Sequence, residues 1–350
     1  MKRFIMGIRH ICQGTVVMGI LLTSAPPGLA GDENPGHLRA QVIALQAGWN
    51  AVFLEVAPMV ATPEVVFGGL PVDRVATIFQ NPQSNQFVTD PGVDLYKGLG
   101  WAVWFAPGLP EAFLRSLDVI NGNQAYLIHA KSACQWRVSG QVQVAQTKWQ
   151  PNAFNLVGFP VRAAGGPTFE EFFAGSAAHR GQTLYRLVEG RWKQVLRPSA
   201  EAMRSGEAFW IFCKGGSDFQ GPLRVETTSR QGLVLASGSA QVIVRNDCPH
   251  PLTATVRHVP GDDAPLPLSV LVQVYGKVAA PVMTMAARMP AGAWEQPLPA
   301  MEAAGALAIP FECRTAEMTH ARQGSLLQIT TDLGTETWIP VSGVRADLAE

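Results

Sequence analysis

The sequence combines zero net charge with a largely apolar composition. Its 350 residues include 27 Lys and Arg against 27 Asp and Glu; only 15% are charged and 47% are hydrophobic. Such a chain can bury enough apolar surface to fold, which excludes a largely disordered protein. It also lacks the excess of basic residues with which nucleic-acid binding proteins neutralise phosphates, so no nucleic-acid partner is expected.

The first 30 residues have the pattern of a secretory signal peptide. Three basic residues and no acidic ones accompany an apolar run over residues 15–22, and Gly28-Leu29-Ala30 follows. This order predicts export, with cleavage after Ala30, to the periplasm or the outside of the cell. The apolar run is too short to span a bilayer. No later segment has the pattern of a membrane helix, so no membrane span is expected in the mature chain.

Residues 31–40 are polar and predict a leader, and residues 41–150 predict a first module. Its opening strand, residues 48–56, has apolar side chains two positions apart, the period of a strand with one buried face. Thr62 followed by Pro63 and Glu64 is an N-cap pattern, which predicts a short helix over residues 64–70. A strand at residues 101–107, a helical turn over residues 110–120 and a closing strand at residues 124–128 complete this module.

Residues 151–222 predict a second module built in the same order. Its opening strand spans residues 154–161, and Thr168 with Glu171 forms a capping box that predicts a helix. Residues 184–187 and 192–196 flank Glu189-Gly190, which predicts a tight hairpin. The closing strand spans residues 207–211.

Three segments of the first module recur in the second. The matched anchors are Asn50 with Asn155, Trp101 with Trp192, and Ala125 with Ala208. The first copy is longer, and much of its extra length falls in loop-like sequence at residues 81–86 and 90–92, where insertions cost little. We therefore predict a diverged internal duplication whose two copies pack as a pseudo-symmetric pair.

Residues 223–350 predict a separate C-terminal domain. Short runs of alternating or β-branched residues, such as 241–245 and 268–275, are separated by turn residues, and residues 326–341 have the pattern of a hairpin. Many short strands with few helix signals favour a β-sandwich. The predicted fold class is thus mainly β with minor α (α+β): a tandem pair of related β-rich modules followed by a C-terminal β-sandwich.

Four cysteines follow the predicted signal peptide: Cys134, Cys213, Cys248 and Cys313. An even number in an exported protein predicts disulfides, with three pairings open. We favour Cys248–Cys313, because both residues lie beside predicted strands of the C-terminal domain. Cys134 and Cys213 follow the closing strands of the two modules, so they predict either a bridge between the modules or two free buried thiols.

No catalytic motif occurs in the sequence. It has neither the Gly-x-Ser-x-Gly elbow nor a glycine-rich phosphate loop, and its histidines lack the spacing of a zinc site, so no metal or cofactor is expected. A glycosidase pair of carboxylates stays open, because such a pair needs only the right spatial separation. The acids Asp90, Asp94, Glu111 and Asp118 lie near one loop-rich region, but solvated surface is the simpler interpretation.

The nine tryptophans suggest a carbohydrate ligand, because flat rings can stack on sugars. Four of them occupy positions that are aromatic or apolar in both copies and are predicted to be core: Trp49, Trp101, Trp192 and Trp210. Trp104 instead aligns with Val195, between Lys193 and Arg197 on one strand face. Trp104 is therefore the candidate ligand-binding ring, and packing in the core is the alternative.

Residues 48–56, Gly-Trp-Asn-Ala-Val-Phe-Leu-Glu-Val, resemble a repeat of exported bacterial proteins. That repeat usually has the pattern Gly-Trp-Asn-Leu-(Val/Ile)-x-Leu-Pro-Val and closes on Gly-x-Ala-Tyr-Trp. Here Glu55 replaces the Pro in the first copy, Phe154 replaces the Trp in the second, and Pro160 keeps the Pro. The resemblance covers about residues 41–222. Because this family is functionally uncharacterised, the resemblance implies architecture and export but no catalytic residue.

The sequence as a whole predicts an exported, non-catalytic bacterial protein that binds a glycan or a surface protein, or has a structural role at the cell surface. One alternative is a secreted hydrolase acting on polysaccharide, which needs a cleft with two carboxylates about 5–10 Å apart. The other is a subunit of a surface assembly, which needs an uncovered sheet edge. A binding module should instead expose aromatic side chains without paired acids.

Overall fold

The structure is a computed structural model and is mainly β, with two short α-helices in the part that it describes. That part comprises residues 37–79, 100–229, 231–235, 239–261, 264–274, 283–290 and 292–345. Strands dominate throughout, so the predicted fold class of mainly β with minor α is confirmed. The predicted signal peptide, the loops at 81–86 and 90–92, and the acids Asp90 and Asp94 lie outside the described residues.

The first module contains two antiparallel sheets. Its elements are β1 (Leu38–Leu45), β2 (Gly48–Leu54), β3 (Val56–Pro58), α1 (Pro63–Val66), β4 (Val72–Ile78), β5 (Trp101–Phe105), β6 (Gln124–Ala130) and β7 (Cys134–Val142). One sheet has the order β2-β6-β4-β5 and the other β1-β7-β3. β1 begins inside the segment suggested as a leader, and its Gln41, Ile43 and Leu45 are buried in alternation with exposed neighbours. The sequence did not predict this three-stranded sheet.

The predicted helices of the first module are shorter in the structure. Thr62 is the N-cap of α1 with Pro63 at its first turn, as predicted, but the helix ends at Val66. In the segment predicted as a long helical turn, only Pro110–Leu114 is helical, and it is a 3₁₀ turn.

The second module contains one antiparallel sheet and a helix. Its elements are β8 (Ala153–Gly158), α2 (Phe169–Phe173), β9 (Leu184–Val188), β10 (Arg191–Gln194) and β11 (Ala208–Cys213), and the sheet order is β10-β9-β11-β8. The predicted capping box is confirmed: Thr168 and Glu171 hydrogen-bond reciprocally at the start of α2. The predicted hairpin is also confirmed. Glu189 and Gly190 have φ values of 52° and 72°, the left-handed conformation that a two-residue type I′ turn requires.

The four-stranded sheets of the two modules have the same strand order and the same register. Three strand-to-strand pairs of the first module each have a counterpart in the second. Asn50 pairs with Ile128 as Asn155 pairs with Ile211, and Ala76 pairs with Leu127 as Tyr185 pairs with Trp210. Ile78 pairs with Trp101 as Leu187 pairs with Trp192. In both modules the asparagine amide donates to the carbonyl oxygen two residues earlier, at 3.0 Å. The strands β2, β6, β4 and β5 of the first module therefore correspond to β8, β11, β9 and β10 of the second.

These two sheets pack against each other through one aromatic layer. The rings of Trp101 and Trp210 lie 6.4 Å apart, and both side chains are buried. The backbones also approach closely, because the Phe53 N–H donates to the Gly206 carbonyl at 2.9 Å. A Cβ atom at Gly158 would lie only 2.3 Å from that of Phe53, so this position requires glycine. Trp49 and Trp192, which were also predicted to be core, are half-buried in the same layer.

The opposite faces of the two sheets are covered differently. In the first module the sheet β1-β7-β3 supplies the cover, with Trp136 packed 5.1 Å from Phe67. In the second module α2 supplies the cover through a cluster of phenylalanines. Its members are Phe159, Phe169, Phe172, Phe173, Phe209 and Phe219.

Residues 223–345 contain two five-stranded sheets that enclose one apolar core, the layout of a β-sandwich. The strands are β12 (Leu223–Glu226), β13 (Leu233–Leu235), β14 (Ser239–Asn246), β15 (Ala254–Pro260), β16 (Leu268–Val274), β17 (Met283–Arg288), β18 (Trp294–Pro297), β19 (Ala306–Cys313), β20 (Arg322–Thr331) and β21 (Glu336–Val344). The sheet orders are β12-β14-β19-β16-β17 and β13-β21-β20-β15-β18. Among the strand pairs of this domain that the structure describes, β13–β21 is the one parallel pair.

The predicted Cys248–Cys313 disulfide is not formed, and all four described cysteines are free. Cys313 ends β19, whereas Cys248 follows β14, and these strands are antiparallel with Arg245 opposite Ala306. The two cysteines thus lie at opposite ends of the strand pair. The separation is roughly 25 Å at ~3.4 Å per residue, well beyond the ~7 Å limit for a disulfide.

The bridge considered between the modules is also absent. Cys213 is the last residue of β11, but Cys134 begins β7 and therefore belongs to the three-stranded sheet rather than to the closing strand β6. The Cys213 thiol donates to the Gly215 carbonyl at 3.3 Å. Of the two alternatives for this pair, the structure has the free thiols.

Candidate functional site

A groove of about 670 Å³ lies where the two modules meet. One wall is the start of β6, with Asn123 and Gln124. The other wall is the segment at residues 146–150 together with β8. Phe79 and Trp210 are among the aromatic residues of the lining. The volume falls within the ~300–1,000 Å³ of small-molecule sites.

Hydrogen bonds to neighbouring strands fix the amides of the first wall. The Gln124 amide donates to the Thr77 hydroxyl at 2.8 Å and to the Ile78 carbonyl at 3.3 Å. The Asn123 amide donates to the Gln143 carbonyl at 3.2 Å. Because their rotamers are fixed by these contacts, both amides are pre-organised before a ligand arrives.

Alternate residues anchor the second wall. The Thr147 backbone N–H donates to the Gln220 amide oxygen at 2.7 Å, and the Trp149 indole donates to the Phe219 carbonyl at 2.7 Å. The three residues that alternate with these anchors have exposed side chains: Gln146, Lys148 and Gln150. Extended backbone that is pinned on one side presents its other side chains to the groove.

Aromatic rings border the groove at different depths. Phe79 is 58% exposed, whereas Trp210 is fully buried. Phe154 is half-buried and packs edge-on against Tyr185 and Phe212, with ring centroids 5.8 and 5.4 Å away. Phe79 is therefore the ring in this groove that can offer a face to a ligand.

The described lining of this groove contains no Asp or Glu, and Lys148 is its one charged side chain. Amides can donate and accept hydrogen bonds at the same time, and aromatic rings supply flat apolar surface. General acid catalysis of glycoside hydrolysis needs a carboxylic acid, usually one of a pair. These side chains are suited to forming hydrogen bonds and apolar contacts with a polar, uncharged ligand.

Trp104, the ring that the sequence proposed as ligand-binding, is only 3% exposed. Its indole donates to the Glu64 carboxylate at 3.1 Å, and its ring lies 5.7 Å from that of Phe67. The strand β5 stands at the edge of its sheet, but the Ser116 backbone hydrogen-bonds to Val103 and covers that edge. The expectation of an exposed ring at Trp104 is wrong, because a segment distant in sequence folds over it.

Glu55, which stands where the resembling repeat has Pro, is a buried acid outside the groove. It is 6% exposed, forms an ion pair with Arg39, and its backbone N–H donates to the Gln41 amide oxygen at 2.9 Å. Burial raises the pKa of the Glu55 carboxyl, and Arg39 opposes that change. Glu336 lines the same cavity, whose volume is about 70 Å³. That space holds about two waters, too few to be exchanged for a sugar ring.

The remaining acids considered from the sequence lie on the surface of the first module. Glu111 approaches Arg74 to 3.8 Å, and Asp118 approaches Arg115 to 4.0 Å. Neither lines the groove.

Across the described ranges, no three His, Cys, Asp or Glu side chains gather as metal ligands would. The described helices are also all too short or too polar to cross a membrane.

The sequence offered only one signal for this groove. Four glutamines, at positions 141, 143, 146 and 150, stand in the polar stretch between the modules, but their spacing alone does not say what they face. The other wall, with Asn123 and Gln124, was interpreted only as a turn and a closing strand. The chain matches no protein-family model and no curated protein, so its function has to be inferred from this groove.

Proposed function

We propose that this is an exported, non-catalytic binding protein whose groove between the two modules takes a neutral glycan. The observation that carries the proposal is a groove of about 670 Å³ that combines amide side chains with an exposed ring and has no carboxylate in its described lining. Sugar hydroxyls pair with amides, which both donate and accept, and a sugar's apolar face can rest on a ring such as Phe79.

We further infer that the two modules descend from one duplicated unit. Support comes from the shared strand order and the shared register of three strand pairings. The groove uses both copies and the segment that connects them, so it would have arisen only after duplication. Export rests on the pattern of residues 1–30, and it would place the groove where glycans of the cell surface are accessible.

The two alternative functions receive less support. A hydrolase would need a pair of acids in an open cleft, and Glu55 with Glu336 lies beside a cavity of only about 70 Å³. For an assembly subunit, the edge strand β10 is a candidate, but it carries Arg191 and Lys193. Charged residues on edge strands oppose pairing with another chain.

The test is a glycan array probed with the purified protein, followed by calorimetric titration of the best glycan. Phe79→Ala should lower affinity about fivefold, through the loss of one ring contact worth about 1 kcal/mol. Gln150→Ala should lower it about two- to tenfold, through one hydrogen bond of about 0.5–1.5 kcal/mol.

Matched controls for these variants exist in the first module. Phe113 and Gln135 are exposed and do not line the groove, so Phe113→Ala and Gln135→Ala should leave affinity unchanged. Equal loss in groove and control variants, or cleavage of the bound glycan during the titration, would reject the proposal.

A further inference from the structure

The edge of β8 is unpaired where it lines the groove between the two modules. β8 stands at the end of its sheet, with β11 as its neighbour. The Phe212 N–H of β11 donates at 3.0 Å to the residue that precedes β9. Backbone groups alternate in direction along an antiparallel strand, so Ile211 turns its own toward β8, where it pairs with Asn155. Leu156 and Gly158 belong to the other set and direct their N–H and C=O groups away from β11.

These outward backbone groups have no partner among the residues that the structure describes. Farther along the same edge, the Pro160 carbonyl accepts from the Glu336 N–H at 3.1 Å, but no such bond reaches Leu156 or Gly158. Both residues are buried, and both line the groove. Because glycine has no side chain, Gly158 lines the groove with backbone atoms. Buried backbone groups are nearly always hydrogen-bonded, so this edge is suited to a polar ligand.

The first module shows what pairs at the corresponding edge. Phe53 holds in β2 the position that Gly158 holds in β8. Its N–H donates at 2.9 Å to the Gly206 carbonyl, in the turn before the closing strand of the second module. Asn123 holds the corresponding place before the closing strand of the first module, and both residues have left-handed backbone, with φ values of 53° and 72°. The counterpart bond, from the Gly158 N–H to the Asn123 carbonyl, is not formed; both residues line the groove instead.

One amide group would complete the pairing between the Gly158 N–H and the Asn123 carbonyl. A trans amide directs its N–H and its C=O in opposite directions. Placed in the groove, it would therefore donate to Asn123 and accept from Gly158 at the same time. Inserting one amide moves two backbones apart by about 4.8 Å, the spacing of hydrogen-bonded strands. A ligand that carries an amide thus replaces the direct backbone contact that the other half of the molecule makes.

We propose that the groove selects glycans that contain an N-acetylated amino sugar, whose acetamido group bridges the Gly158 N–H and the Asn123 carbonyl. The inference rests on the proposed glycan binding and names the class of sugar. The acetamido group is uncharged, as suits a groove whose described lining has no Asp or Glu. The sugar ring that carries it remains free to rest on Phe79, as any neutral sugar in this groove would.

An extended peptide also carries amides, but the edge of β8 suits it less. Peptides that add to a sheet edge bind through main-chain hydrogen bonds along several residues. The unpaired stretch of β8 ends at Pro160, which has no N–H and whose carbonyl already accepts from Glu336. Leu156 and Gly158 are suited to one amide rather than to a whole strand.

The experiment is calorimetric titration of the purified protein with two matched trisaccharides, triacetylchitotriose and cellotriose. They share one chain of β-1,4-linked glucose rings and differ in the acetamido group or hydroxyl at carbon 2. Triacetylchitotriose should bind about five- to hundredfold more tightly, the gain from two hydrogen bonds. Chitotriose, whose free amines lack the carbonyl, should bind no better than cellotriose. The peptide acetyl-trialanine amide should bind more weakly than triacetylchitotriose.

Hydrogen exchange of single amides, followed by nuclear magnetic resonance, locates the bond. Saturating triacetylchitotriose should slow exchange of the Gly158 amide at least tenfold, and saturating cellotriose should not. The Phe53 amide is the matched control, because it already donates to Gly206, and its exchange should not change with either trisaccharide. In the free protein the Gly158 amide should exchange faster than the Phe53 amide.

Two variants separate the backbone from the side chains. Asn123→Gly keeps the carbonyl and allows the left-handed turn, as Gly206 does in the second module, but removes the side-chain amide. Phe79→Ala removes the ring that serves both trisaccharides. Each variant should change the two affinities by the same factor and so preserve their ratio. Circular dichroism and thermal unfolding establish that both variants are folded.

The possible failures are distinguishable. Equal affinity for triacetylchitotriose and cellotriose would overturn the acetamido inference and leave the groove as a site for neutral glycans. Binding of neither trisaccharide, together with a glycan array without hits, would remove both proposals. Tighter binding of the peptide would assign the groove to a peptide. Unchanged exchange at Gly158, or a preference that disappears in Asn123→Gly, would show that the bridge between the two backbone groups does not exist.

Discussion

The two four-stranded sheets are alike on the faces that meet and unlike on the faces that point away from each other. Alternation along the closing strands separates these faces: Leu127 and Trp210 lie in the layer between the sheets, whereas Tyr126 and Phe209 lie in the outer cores. The inner positions correspond in register. The outer ones meet a three-stranded sheet in one module and a helix with its phenylalanines in the other.

Under the proposed duplication, this difference identifies the contacts that would limit divergence of the two modules. A residue in the inner layer packs against the other module, so a change in its size must be matched across the interface, because interiors tolerate little change in volume. A residue on an outer face packs against elements that belong to its own module. Those elements can change together with it, so one outer face is covered by β1-β7-β3 and the other by α2.

The largest expected effect comes from removing the central ring of the inner layer. Trp210 is fully buried, and its ring centroid lies 6.4 Å from that of Trp101 and 6.2 Å from that of Trp192. Trp210→Ala should lower the free energy of unfolding by about 3–5 kcal/mol, because a large cavity forms. Urea unfolding measures this loss.

The matched variant is Trp136→Ala, which removes an equally buried ring from the outer core of the first module. Amide hydrogen exchange should report loss of protection in both β6 and β11 for Trp210→Ala, and in the first module alone for Trp136→Ala. If Trp210→Ala reduced protection only in its own module, the inner layer would not couple the two modules.

Acid should weaken the second module more than the first. His179 is 2% exposed, its ring lies 3.8 Å from that of Trp149, and its Nδ1 is 2.6 Å from the Ser176 hydroxyl. Burial lowers the pKa of His179 to about 4. The unfolded chain, with a histidine pKa near 6.5, therefore binds more protons at intermediate pH. Above about pH 6.5, His179 therefore does not lower the free energy of unfolding. As the pH falls toward 4, the free energy of unfolding decreases because of His179, by up to about 3 kcal/mol.

The measurement is the difference between the native protein and His179→Phe in urea unfolding at pH 7 and pH 4.5. The variant should lose part of the acid-induced destabilisation. It should keep another part, because burial also lowers the pKa values of His258 and His37. Identical pH dependence in the two proteins would show that His179 is not held neutral by its surroundings.

Local chemistry explains which parts of the fold could be predicted from the sequence. The capping box of Thr168 and Glu171 and the turn at Glu189-Gly190 depend on residues within four positions of each other, and both are present. The burial of Trp104 depends on residues that are distant in sequence, since Glu64 and the segment around Ser116 enclose it. No pattern around Trp104 itself contains that information.

Neither the groove nor the pairing of the cysteines could be predicted from the sequence, because both depend on contacts between segments that are distant in sequence. The groove brings Phe79, Gln124 and Gln150 together from separate strands and a connecting segment, and their proximity follows only from how the two sheets pack. The pairing of Cys248 with Cys313 was inferred from shared membership of a domain. The register of β14 against β19 determines instead whether these two cysteines can meet. The register between strands so far apart in sequence cannot be predicted from the residues of either strand alone.

The smallest expected effect compares the two corresponding asparagines. Asn155 accepts from the Gln150 backbone at 2.7 Å, and Asn50 accepts from the Gln46 backbone at 2.8 Å. Asn155 is buried and Asn50 is only half-buried, so water can replace the lost hydrogen bonds more easily in the first module. Asn155→Ala should cost about 1–3 kcal/mol of unfolding free energy and Asn50→Ala about 0.5–1.5 kcal/mol.

Glycan affinity gives this comparison a second readout. The side chain of Asn155 holds Gln150, whose own side chain lies in the groove wall, whereas Gln46 lies outside the groove. Asn155→Ala should therefore weaken glycan binding, and Asn50→Ala should not. Asn121→Ala, at an exposed position, controls for the substitution itself. Equal stability losses with unchanged binding in both variants would mean that these two asparagines have the same structural role in both modules and that the groove does not depend on either.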